Sequence, residues 1–147
     1  MFADFNRDDF PIVKVTMNGK PESQEDFDNF LGEWTKLYEE RNDFIFIFNT
    51  ENVSNPDIKY SIRMSQYIKN LRKKDYQFLQ KSIILINRNK VRWMLDFIFS
   101  IQPPVADVYL IDTNKYTFDL SQIESINHEE NGITYIQPSK PFISSIF

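Results

Sequence analysis

The run "DFIFIFN", residues 43–49, decides the fold. Phe44 to Phe48 are five apolar residues in a row, all aromatic or β-branched, with no polar residue alternating between them. A strand with one wet face alternates, whereas an unbroken apolar run is typical of a central strand covered on both faces. Upstream, "ESQEDFDNFLGEWTKLYEER" places Phe27, Phe30, Leu31, Trp34, Leu37 and Tyr38 on one stripe, which predicts an amphipathic helix. Ser23 is its expected N-cap, and Glu25, Asp26 and Asp28 complement the dipole of its first turn. Before it, "FPIVKVTMNG" reads as a strand ending at an Asn18-Gly19 turn.

Downstream of the run, "TENVSNP" is a loop, with Asn55 the expected N-cap and Pro56 the expected first helical residue. A second helix follows in "DIKYSIRMSQYIKNLRKK", with Tyr60, Met64, Tyr67, Ile68 and Leu71 on its buried face. "FLQKSIILIN" is a third strand of the buried type, and "VADVYLID" a fourth. Between them, residues 89–102 form a third helix that stops before Pro103, because a residue preceding proline avoids the α region. The order β-α-β-α-β-α-β implies right-handed crossovers and largely parallel pairing. The expected class is therefore α/β: a mixed, mostly parallel sheet of about four strands with helices packed on it. Beyond Thr113 the periodicity fades. "FDLSQIESIN" has the pattern of a short helix, Asn131-Gly132 signals a turn, and "SKPFISSIF" is an apolar tip. The expected division is a domain over residues 1–112 and an irregular extension or docking arm over 113–147, partly dispensable for folding.

Composition narrows the function. The 147 residues are 41% hydrophobic and 26% charged, as in a globular domain. A net charge of −4 argues against a general nucleic-acid binder. The chain has no cysteine, which excludes disulfides and thiolate chemistry and points to a cytoplasmic setting. "MFADFNRDDF" lacks the basic and apolar regions of a signal peptide, and Asp96 interrupts the greasiest stretch, so no membrane span is expected. Only three glycines are present, Gly19, Gly32 and Gly132, and no phosphate-cradling loop can be built from them. The single histidine, His128, has no nucleophile elbow to serve, and no spacing suggests a metal site. The expectation is a chain that is not an enzyme and uses no cofactor.

The string "FNTENVSNPDIKYSI" resembles the STAS domain, the fold of bacterial anti-sigma-factor antagonists, over roughly residues 10–112. In that family a core strand runs into a loop of the type "ENVS..D" and a helix begins just after it. Glu51, Asn52, Val53, Ser54 and Asp57 occupy the matching places. Regulatory members carry an Asp-Ser pair whose serine is phosphorylated; here Ile58 follows Asp57, so the switch serine is missing. The stretch "KSIILINRNKVRWMLDFIFSIQPPVADVYLID" is similar to the small SpoIIAA-like proteins related to the lipid-binding CRAL-TRIO fold. The resemblance implies a domain that works by binding, usually a protein and sometimes an apolar ligand.

The third helix shows where binding is expected. At about 100° per residue, Val91, Met94, Leu95, Ile98 and Ile101 share the face that closes the sheet. Trp93 and Phe97 form a second ridge off that face, to be covered by the chain's own tail with Phe142, Ile143, Ile146 and Phe147, by a partner protein or by a lipid surface. Lys59, Arg63 and Lys73 share a basic stripe of the second helix, suited to an acidic partner or a phosphate-bearing lipid headgroup, unless it is an ordinary solvated face attracted to the acidic first helix. Phe142, Ile146 and Phe147 of the apolar tip complete the candidate partner-binding residues. The expected function is a non-enzymatic interaction module, an adaptor or scaffold alone or within a larger assembly. Its expected partner is another protein or a second copy. The alternative is a carrier of a small apolar ligand or a lipid-surface binder, with membrane contact the less favoured.

Overall fold

The computed structural model describes residues 2–127 and 129–138. Its elements in chain order are β1 (Ala3–Asn6), β2 (Ile12–Gly19), α1 (Gln24–Glu39), β3 (Phe44–Val53), α2 (Ile58–Arg72), β4 (Leu79–Ile86), α3 (Asn89–Ile101), β5 (Asp107–Asp112), a short 3₁₀ helix (Leu120–Ser125) and β6 (Ile133–Ile136). The six strands form one sheet in the order of the chain, β1-β2-β3-β4-β5-β6. β2 to β5 pair in parallel, and β1 and β6 close the two edges in antiparallel pairing.

The chain is thus α/β, with a mixed sheet of six strands rather than the expected four. β1 escapes a sequence reading because Asp4 and Asn6 leave its four residues little strand character. β6 escapes it because "ITYI" is equally short. The expected boundary after Asp112 is crossed by this sheet. β6 pairs with β5 from Val108↔Ile136 to Ile111↔Ile133, and Ile123 and Ile133 are buried. Residues 113–127 and 129–136 thus carry the 3₁₀ helix and the sixth strand of this sheet.

Sequential strand order fixes where the helices go. Each parallel crossover moves one strand along in the same direction, and right-handed connections then place α1, α2 and α3 on one face. The packing agrees. Val13, Val15, Phe44, Phe46, Phe48, Ile84 and Leu110 join residues of all three helices in one core. Ile47, Ile83 and Ile111 point to the other face, beside Ile133 of β6, where Ile123 of the 3₁₀ helix packs against them. β3 therefore buries both of its sides, as "DFIFIFN" requires.

Local signals place the helices. Ser23 caps α1 by accepting from the Asp26 amide at 3.2 Å. For α2 the cap is Asp57, whose carboxylate accepts from the Lys59 amide at 3.0 Å, and not Asn55. Pro56 thus precedes the cap, and the helix begins at Ile58. The core face of α3 is narrower than its periodicity suggests. Val91, Leu95 and Ile98 are buried and Met94 is half-buried, but Ile101, at the last turn, is exposed.

Candidate functional site

α2 and α3 lie side by side and run parallel, each following a parallel strand. Their approach is set by small side chains. The Ser65 hydroxyl donates to Ser61 O at 3.0 Å within α2 and reaches Ile98 O of α3 at 3.4 Å. Ile58 and Ile62 stand seven and three residues before Ser65, so they share the face of α2 turned to α3. On α3, Trp93, Phe97 and Ile101 repeat every four residues and make one ridge.

This seam is where apolar surface meets water. Eight large apolar side chains are exposed among the described residues, and four of them stand on these two helices. Trp93 is 70% exposed, Ile58 63%, Ile101 53% and Ile62 43%. Phe97 is half-buried beside them. The others, Phe10, Tyr76, Leu120 and Tyr135, are scattered over other elements and loops. Sequence periodicity marked the Trp93–Phe97 ridge. It did not mark Ile58 and Ile62, whose i, i+4 spacing is a signal that went unread beside the buried face of the same helix.

The basic stripe faces elsewhere. Arg63 pairs with Asp28 of α1, and its guanidinium lies 5.0 Å from the centre of the Phe27 ring. Lys59 is exposed, with its ammonium 5.0 Å from the centre of the Tyr60 ring. Lys73 is the C-cap residue of α2 and borders an open groove with Tyr76 and Phe78. These three cations do not converge with Trp93 and Phe97; Asp28 of α1 draws Arg63 the other way. Phe142, Ile143, Ile146 and Phe147, and His128 with them, lie outside the described residues.

Under the seam is a cavity of about 130 Å³, between the helix-covered face of the sheet and the undersides of α1, α2 and α3. Trp34, Phe48, Met64, Ile84, Met94 and Ile98 are among its lining residues. Polar groups in the wall are few. Thr50 Oγ1 already donates to Leu85 O at 2.7 Å, and Ser61 and Ser82 are buried. The Trp34 indole N–H is buried with no hydrogen-bond partner among the described residues. Above this wall α1 and α2 are joined by Thr35 Oγ1 and Tyr67 Oη, 2.7 Å apart, and burial pushes the Tyr67 hydroxyl up to about 12.

No cluster of three histidine, cysteine or carboxylate side chains fit to hold a metal occurs among the described residues. No helix among them is long and apolar enough to cross a membrane. The "TENVSNP" stretch expected as a loop is strand up to Val53, the last residue of β3; Ser54 follows in the loop and Asp57 caps α2. Ser54 is tied back to β2 by its amide, which donates to Gly19 O at 2.9 Å. No family model, no curated protein and no solved structure matches the chain.

Proposed function

We propose that the chain is a non-catalytic protein-interaction module, an adaptor or scaffold of STAS-like build whose binding surface is the seam between α2 and α3. Trp93 carries this reading: a tryptophan 70% exposed, aligned with Phe97 and Ile101 on one ridge and faced by Ile58 and Ile62. Contiguous exposed apolar surface marks binding sites on soluble domains. Tryptophan is also the residue type most enriched where binding energy concentrates. A second support comes from the start of α2. The STAS resemblance would put a phosphorylatable serine where Ile58 stands, and Ile58 is apolar, exposed and part of the seam. The surface thus has no hydroxyl there to switch it off, and binding is constitutive with respect to that position.

The occupant is another polypeptide presenting its own apolar residues, either a different protein or a second copy. Site-specific photo-crosslinking tests this directly. A benzophenone side chain placed at position 62 or 93 should capture a polypeptide at high yield. The same group at position 120, on the 3₁₀ helix that serves the opposite face of the sheet, should not. Equal capture from all three positions, or none from 62 and 93, would refute the assignment of the surface.

A further inference from the structure

We propose that the cavity beneath α2 and α3 is a binding site for a small, neutral, apolar molecule of about benzene to indole size. This inference is independent of the seam's role and rests on the cavity's volume, wall and origin. At about 130 Å³ it is far larger than a packing defect. Apolar cavities of about this size, roughly 150 Å³, stay dry and take up benzene. A long acyl chain would need several times the space.

The wall selects for a neutral guest. Among the lining residues Lys20 is the only charged one; it belongs to the loop after β2 and is exposed. Among the described residues no carboxylate lines the cavity to pair with an amine, and a buried anion would face apolar side chains at a prohibitive desolvation cost. Three of the four methionines, Met17, Met64 and Met94, are in the wall. Their unbranched thioether chains fit guests of slightly different shape and make favourable contacts with aromatic rings. The Trp34 indole, whose N–H has no partner among the described residues, belongs to the same wall.

The space has a sequence cause. Ser82 of β4 points to the helix side, where its neighbours two and four residues on are Ile84 and Ile86. Ser61 of α2 and Ala106 before β5 are further small residues of the lining. A leucine or isoleucine at any of these places would fill the gap, as it does along the rest of the sheet. Small residues where three helices converge on a sheet leave room for a guest.

The test uses the full chain carrying ¹³C-methyl methionine, titrated with benzene and with indole. Ring currents from a bound guest should move the Met17, Met64 and Met94 methyl signals saturably, and the melting temperature should rise by several degrees at saturation. Ser82→Leu and Ala106→Leu each fill the space. Either variant, whichever folds, should weaken binding at least tenfold and unfold at or above the parent's temperature. Absence of saturable shifts up to the solubility limit of both probes would overturn the proposal. So would shifts that persist unchanged in a filled variant, or decanoate binding more tightly than either probe.

Discussion

The Ser65 hydroxyl of α2 lies 3.4 Å from the Ile98 carbonyl oxygen of α3, and this contact sets how closely the two helices pass. A serine at the crossing brings the backbones together, so larger neighbours are squeezed either down into the core or out onto the seam. Ile68 and Leu95 go down, while Ile62 and Ile101 stay out.

Enlarging that contact should be costly. Ser65→Leu forces extra methylenes between packed backbones, an overpacking that typically costs 1–3 kcal/mol. For a domain of this size, each kcal/mol lowers the melting temperature by about 2–4 °C. Ser65→Ala keeps the close approach and loses only the hydroxyl's hydrogen bonds, about 0.5–1.5 kcal/mol, so it should melt closer to the parent than Ser65→Leu, which loses them too. Circular dichroism melts of the two variants distinguish them. A leucine variant as stable as the parent would mean that the helices are not in contact at this point.

Removing the residues after Asn114 should cripple folding. The sequence reading expected such a truncation to unfold cooperatively. The structure argues for the opposite outcome, because Ile123 and Ile133 are buried with Ile47, Ile83 and Ile111 on the second face of the sheet. Each large aliphatic side chain returned to water costs roughly 1.5–3 kcal/mol, against a total stability of about 5–15 kcal/mol for a typical domain. The truncated chain should lose its cooperative thermal transition or melt more than about 10 °C lower. A sharp, unshifted transition would place these residues outside the core.

Stability should fall at alkaline pH through buried tyrosine. The Tyr67 hydroxyl is raised from the ordinary value of 10.0 to about 12, chiefly by burial. Because the folded state holds the proton more tightly, this group's contribution is full below pH 10 and is lost as the pH rises toward 12. Tyr38 is shifted in the same direction by its own burial. Ultraviolet titration should therefore show some of the seven tyrosines ionising late, together with unfolding. Tyr67→Phe should move that alkaline transition to higher pH. A Tyr67→Phe profile matching the parent's would show that another group drives it.

Much of this architecture can be read from residue patterns, and the failures have physical causes. "DFIFIFN" carries no alternation because β3 is packed on both sides, so its central place is written in the residues. The stripe from Phe27 to Tyr38 is legible because α1 has one dry face. β1 and β6 are not, since four residues at a sheet edge take their conformation from the neighbour they pair with, not from their own propensities. Trp93 stood out because it lies off the buried face of its own helix. Ile58 and Ile62 acquire meaning only when α3 is placed beside them. The cavity is the least legible feature: Ser82 and Ala106 are ordinary residues until three helices are set above them at a fixed height.

The account stands on the claim that the Trp93–Phe97 ridge binds another polypeptide and is not part of the core. The direct measurement is the double variant Trp93→Gln, Phe97→Gln beside its parent, followed by thermal unfolding and by sedimentation or titration with the polypeptide captured at positions 62 and 93. The account predicts a melting temperature within a few degrees of the parent's and association at least tenfold weaker, about 1.4 kcal/mol or more. A variant that unfolds readily while associating as strongly as its parent would contradict it, and would place Trp93 and Phe97 in the core of the domain.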